Sequence, residues 1–146
     1  MTAKPLATIG YEAATQDTVI ARLKAAGIET LIDVRAVAAS RRAGFSKTLL
    51  AASLAEAGIE YVHLRQLGTP KPGRDAARKG RIEEMTAIFQ EHMAEPAAQL
   101  ELARAKAMVA ERRTALLCFE ADHRGCHRKI LADLISADLA CEVVNL

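Results

Sequence analysis

Five short apolar runs constrain this chain more than any other feature: "PLATIG" at 5–10, "ETLIDV" at 29–34, "IEYVHL" at 59–64, "TALLCF" at 114–119 and "CEVVNL" at 141–146. They are too continuously apolar to alternate between a buried and a wet side, which suits strands covered on both faces. Helical patterns lie between them. Thr15 is placed to cap a helix carrying Val19, Ile20 and Leu23 on one face, and Gly27 sits where a left-handed terminator belongs. Ser46 is placed to cap a second helical pattern ending at Gly58. Helical spacing resumes from about Ile82 to Met93, breaks at Pro96, and continues to about Arg112. The last helix follows "CHRK" from Cys126. The segment "GTPKPGRDAARKGR", rich in Gly, Pro and cations, reads as a long loop, basic over residues 71–81. Strand–helix alternation of this kind predicts one α/β domain over residues 1–146. The expected form has three layers, with a mainly parallel five-stranded sheet and helices on both faces.

Composition narrows the class. Aromatic residues make up 3% of the chain and Trp is absent, so the core must be Leu, Ile, Val and Ala, which favours helices packed closely on a sheet. A net charge of +2 is too weak to argue nucleic-acid binding by itself. Three cysteines at no framework spacing suggest no disulfide scaffold and fit a reducing cytosol. The start "MTAKPLATIG" has no long apolar region, and no run approaches a membrane span, so a cytoplasmic protein with no membrane partner is expected.

Three polar clusters each follow a strand and precede a helix: "GYEAAT", "DVRAVAASRR" and "CFEADHRGCHRK". In an open parallel sheet such turns lie together at the carboxyl edge, where ligands usually bind. Asp33 and Arg35 can form an ion pair that holds the loop, or Arg35 can grip an anion with Ser40, Arg41 and Arg42 beside it. Gly10, Tyr11 and Glu12 are pocket candidates by position, and His63 is a structural histidine or a base.

The third cluster holds the reactive groups. Cys126 at a helix start, followed by His127, Arg128 and Lys129, is either a thiol with a lowered pKa or a small residue at a tight turn. Cys118 ends a buried strand and reads as an interior residue. Its spacing to Arg124 matches the loop of cysteine phosphatases, but "FEADH" lacks the glycines that would let amides wrap a dianion. Zinc is set aside for Cys118, His123, Cys126 and His127, whose spacings are not those of a ribbon or finger. No metal and no cofactor are expected. No dinucleotide, Walker, nucleophile-elbow or zincin motif is present.

The segments "TIGYEAAT", "LIDVRAVAASRRAGFSKTLLAASLAEAGIEYVHLRQLGTPK" and "ALLCFEADHRGCHRKILADLI" resemble successive signatures of the domain of unknown function 488 (DUF488) family, from Thr8 to Leu134. The chain has Ala13, Ala38 and His123 where that pattern has Gly, Pro and Pro. The resemblance implies a cytoplasmic bacterial or archaeal α/β domain and no established reaction. It also singles out Gly10, Tyr11, Asp33, Arg35, Ser40, Arg41, Glu120, Cys126, His127 and Arg128. "DVR" with a cysteine after a later strand also resembles rhodanese-like sulfurtransferases at the level of fold alone.

The expected function is binding of an anionic ligand at the carboxyl edge: a nucleotide, a nucleic-acid backbone or a phosphorylated metabolite. Arg35, Arg41 and Arg128 would supply the charge, Asp33 and Glu120 would orient them or bind ligand hydroxyls, and Tyr11 would pack on or hydrogen-bond the ligand. One rival is an enzyme moving sulfur or phosphoryl groups with Cys126 as nucleophile, His127 or His63 as base and Arg128 as stabiliser. The other is a protein-interaction module docking through the basic segment.

Overall fold

The apolar runs pair as an all-parallel sheet in a computed structural model that describes residues 4–146. The strands are β1 (Leu6–Gly10), β2 (Thr30–Asp33), β3 (Glu60–His63), β4 (Thr114–Cys118) and β5 (Val143–Asn145), in the order β3-β2-β4-β1-β5. The two edge strands are half-exposed, whereas every residue of β2 and β4 is buried. The continuous apolar character read in the sequence therefore belongs to the middle of the sheet.

Two hydrophobic cores lie on opposite faces. Ala7, Ile9, Leu31, Ala115 and Leu117 point to one side, where α1 (Gln16–Ala25) and α2 (Lys47–Glu56) cover them with Val19, Leu23, Leu50 and Leu54. Leu6, Ile32, Leu116 and Cys118 point to the other. There they meet α3 (Lys71–Arg78), α4 (Ile82–Met93), α5 (Pro96–Glu111) and α6 (His127–Leu139). The helices bury stripes at the expected spacing: Met85, Phe89 and Met93 on α4, and Ala98, Leu102, Ala105 and Val109 on α5. Ala98 and Ala105 are completely buried, so small side chains let α5 approach closely. Each fully buried Leu or Ile contributes about 1.5–3 kcal/mol. The three-layer α/β domain is the expected one, and its sheet is wholly rather than mainly parallel.

Helix punctuation follows the sequence at α1 and α5, whereas the Ser46 hydroxyl, at the start of α2, makes no capping bond and accepts from the Ser40 amide instead. The Thr15 hydroxyl accepts from the Thr18 amide at 3.2 Å, and Gly27 takes φ +71° just past α1. Pro96 opens α5 at a position where a missing N–H costs nothing.

The basic segment departs from expectation. Lys71–Arg78 is a helix, not a loop. Pro70 caps it and Pro72 lies in its first turn, where no amide is needed, so the prolines that suggested a loop begin a helix instead. Gly73 and Ala76 face inward; a Cβ on residue 73 would come within 2.3 Å of Thr69 Cγ2. Asp75 bridges Lys71 at 3.3 Å and Arg78 at 3.6 Å, and Gly80 at φ +75° closes the turn. Among the described residues, no helix is long and apolar enough to cross a membrane.

Gly10 shows how tightly the carboxyl edge is packed: a Cβ there would fall 1.7 Å from the Glu120 carbonyl oxygen. Gly125, in the turn before α6, has open space around it. Urea unfolding is expected to show Gly10→Ala losing about 2–4 kcal/mol and Gly125→Ala changing by less than about 0.5 kcal/mol. Equal effects at the two positions would contradict this packing.

Candidate functional site

Register brings the three polar clusters together. Gly10 pairs with Cys118, and Asp33 pairs with both Leu117 and His63. From neighbouring strands β1 and β4 the chain leaves to opposite faces, into α1 and α6, which makes a topological switch point. A cleft of about 280 Å³ opens there.

Its floor is an ion pair. Arg35 Nε and Nη2 donate to Asp33 Oδ1 and Oδ2 at 2.9 and 2.7 Å, and the Arg35 amide adds a bond to Oδ1 at 3.0 Å. Asp33 is completely buried and Arg35 nearly so. Arg35 Nη1 donates to the Tyr11 hydroxyl at 3.0 Å and to the Phe45 carbonyl at 2.8 Å. Tyr61 donates its phenol to Asp33 Oδ2, and His63 Nε2 lies 2.8 Å from the Arg35 carbonyl. Tyr11 stacks on Phe45 with ring centroids 4.2 Å apart and meets the edge of Phe119. Of the two roles open to Arg35, its donors are committed to the first, holding the loop. Burial alone would lower its guanidinium, but the bonds and charge of Asp33 outweigh this and hold it above the ordinary value.

A sulfur corner closes one side. The Sγ atoms of Cys118 and Cys126 lie within bonding distance of each other, as a disulfide pair. Cys126 is the N-cap of α6, its sulfur accepting from the Arg128 amide at 3.5 Å. Arg128 is buried; its Nη1 donates to Cys118 Sγ at 2.9 Å and to the Glu120 carbonyl, and its Nη2 to the Ala121 carbonyl at 3.2 Å. Its Nε is buried without a partner. Burial lowers the Arg128 guanidinium to about 10, opposed by Glu120, so it stays charged at neutral pH. Burial likewise lowers His127 to about 4, against the raising effect of its bond to the Val34 carbonyl. His127 Nε2 lies 2.8 Å from that carbonyl, which only accepts. The neutral ring therefore carries its proton on Nε2 and turns an unprotonated Nδ1 toward Cys126 Sγ, 3.6 Å away. Burial also raises the Glu120 carboxyl, and its Oε2 lies 3.5 Å from Cys118 Sγ.

The residues named from sequence divide between these regions. Tyr11, Arg35, Glu120, Cys126 and His127 line the cleft, and Arg128 and Asp33 lie behind them. Gly10 makes room for the Glu120 carbonyl and Arg128. Ser40 and Arg41 do not line the cleft; the Ser40 hydroxyl accepts from the Arg42 amide at 3.1 Å, and Arg41 is exposed. Arg42 instead ties two loops by donating to the Glu12 and Ala14 carbonyls.

Sequence reasoning missed Cys118 as the partner of Cys126, and it missed Thr69, Arg74 and Arg78, which also line the cleft. Arg74 and Arg78 are four apart on one helix face, a spacing that signals a shared side only once residues 71–78 are read as helical. Thr69 is buried and its hydroxyl has no protein partner.

Among the comparisons with known proteins, the profile of one family, described as domain of unknown function DUF488, matches residues 15–135. No curated protein and no solved structure matches the chain.

Removing one partner of the buried pair strands a charge. Asp33→Asn is expected to cost about 3–5 kcal/mol in chemical denaturation, and Arg41→Gln less than about 0.5 kcal/mol. Tyr61 gives a pH signature. Burial, then the charge and bond of Asp33, hold its phenol above the ordinary 10.0, while the unfolded chain ionises there. Its contribution is complete below pH 10 and is lost as pH rises beyond it. Between pH 9 and 11 the wild type is expected to lose more stability than Tyr61→Phe; parallel curves would contradict the Asp33 contact.

Proposed function

Since the chain belongs to the DUF488 family, whose name assigns no reaction, we propose from the cleft itself that it binds a small anionic ligand at the carboxyl edge of the sheet. The observation that carries this reading is the placement of Arg74 and Arg78 on the wall of a cleft whose floor charges are already balanced. Asp33 neutralises Arg35, so the floor adds little net charge. Arg74 spends one bond, at 2.9 Å, on the Thr69 carbonyl, and Arg78 is mostly exposed beside Asp75. Their remaining donors face an anion without first breaking a buried pair. The unpartnered Thr69 hydroxyl adds a group that a ligand oxygen would satisfy. Tyr11 and Phe119 offer apolar surface beside these polar groups, the mixture typical of small-molecule sites.

A cleft of about 280 Å³ suits a small phosphorylated metabolite best among the anions considered. The charge that the sequence reading gave to Arg35, Arg41 and Arg128 passes in this proposal to Arg74 and Arg78. Arg35 and Arg128 are the buried supports, and Arg41 lies outside the cleft.

Nucleophilic catalysis by Cys126 has less support. Its sulfur already touches Cys118, and His127, neutral down to about pH 4, is a poor store for a proton taken from a thiol at neutral pH. An interaction module gains nothing specific, because the basic segment is a packed helix with its cations turned partly to the cleft.

Calorimetric titration with pyrophosphate as the probe tests the reading. Arg74→Gln is expected to weaken binding roughly tenfold, and the double variant with Arg78→Gln further, while Arg41→Gln leaves it unchanged. The affinity is expected to fall with added salt. Unaltered binding in the double variant would overturn the assignment.

A further inference from the structure

We infer that Cys118, Cys126 and Glu120 form a binding site for a thiophilic divalent metal ion such as Zn²⁺, with its open coordination position turned to the cleft. One donor atom from each residue, the two sulfurs and a Glu120 oxygen, lies within 4.8 Å of the others, a clustering seen in no other His, Cys, Asp or Glu group among the described residues. Two thiolates and a carboxylate are a suitable donor set for zinc. The reason for setting zinc aside on sequence was the absence of a finger or ribbon spacing. That criterion does not apply where one ligand ends a strand and another caps the helix after it.

Three features favour an ion over a covalent bond between the sulfurs. The first is the backbone separation. The Cα atoms of Cys118 and Cys126 are 7.6 Å apart, beyond the roughly 4.4–6.8 Å that a relaxed disulfide spans. Both are held, one at the end of central strand β4 and the other at the start of α6. Two bonds of about 2.3 Å at a tetrahedral ion set the sulfurs roughly 3.7 Å apart, so binding an ion requires the reduced thiols to separate from their present bonding distance on this backbone.

The second is the charge on Arg128. This guanidinium is buried, and among the described residues it makes no ion pair with a carboxylate. Its side-chain partners are Cys118 Sγ and two backbone carbonyls. A buried guanidinium 2.9 Å from Cys118 Sγ is placed to offset the negative charge that metal-bound thiolates would carry. With both cysteines ionised and Glu120 bound, the divalent ion and Arg128 together balance the charge.

The third is the outer layer. Arg128 Nη1 and the Arg128 amide donate to the two sulfurs separately, as groups that orient metal-bound thiolates do. Because Cys118, Glu120 and Cys126 all line the cleft, the fourth position can take water or a ligand oxygen. Only that last role rests on the anion-binding proposal; occupancy by the ion does not.

The test uses the full-length chain, reduced, stripped with a chelator and titrated with Co²⁺ and then Zn²⁺ alone, with no anion present. The expected result is one Co²⁺ per chain with a sulfur-to-cobalt charge-transfer band, displaced by one equivalent of Zn²⁺. Bound Zn²⁺ is expected to protect Cys118 and Cys126, but not Cys141, from alkylation, as read by peptide mass spectrometry. Cys118→Ser and Cys126→Ser are each expected to lower Zn²⁺ affinity at least roughly 100-fold, Glu120→Gln roughly tenfold, and Cys141→Ser not at all. The wild-type spectrum and protection pattern decide the question even if a cysteine variant does not fold. No charge-transfer band, or equal alkylation of the three cysteines with and without Zn²⁺, would overturn the site. Pyrophosphate binding that fails while the cobalt band is present would sink the anion reading and leave the metal site standing.

Discussion

A carboxylate with no access to water ends the second strand, and the carboxyl edge is arranged around it. Arg35, two residues on, folds back to meet both oxygens of Asp33, so the buried carboxylate is paired rather than stranded. That pairing sets the path of the chain after β2. Arg35 then reaches the loop after β1 through Tyr11, the start of α2 through the Phe45 carbonyl, and β3 through the contact between its own carbonyl and His63. Desolvating two charges is costly, and replacement of such a pair by apolar groups is often neutral in stability. Its effect here is placement: three strand ends and the segment before α2 share one hydrogen-bonded floor beneath the cleft.

The charges of the site are consequently sorted by depth. The floor pair is satisfied and contributes little outward field. Arg74 and Arg78 on the wall are only lightly engaged, so their charge is available to whatever enters. At the sulfur corner the cation Arg128 is buried and donates to Cys118 Sγ, with Cys126 and Glu120 beside it on the cleft side. An anion held by the wall arginines and a metal ion held at the corner would complement each other, and each arrangement follows from a separate group of contacts.

The layered α/β fold was legible because its signals are local and repeated. Val19 and Leu23, or Met85, Phe89 and Met93, announce a helix face whatever they pack against. The unbroken apolar character of "TLID" and "TALLC" announces strands buried on both sides. The helix Lys71–Arg78 was hidden because Pro70, Pro72 and Gly73 carry two meanings, and only the tertiary contact of Gly73 with Thr69 distinguishes a packed helical turn from a loop. Side-chain direction was equally out of reach. Arg35 and Arg41 look equivalent in sequence, yet one is buried against Asp33 and the other is exposed. Cys118 and Cys126 are eight residues apart, and only the turn between β4 and α6 folds one sulfur onto the other.

The most direct measurement is a backbone amide NMR titration of the full chain with pyrophosphate, mapping where the resonances move. The expected pattern is a contiguous set at the switch point: residues 35–39 after β2, 69–78 through α3, and 118–127 between β4 and α6. Shifts centred on the opposite edge of the sheet, around Ile28, Arg113 and Leu146, or no localised shifts at all, would contradict the account.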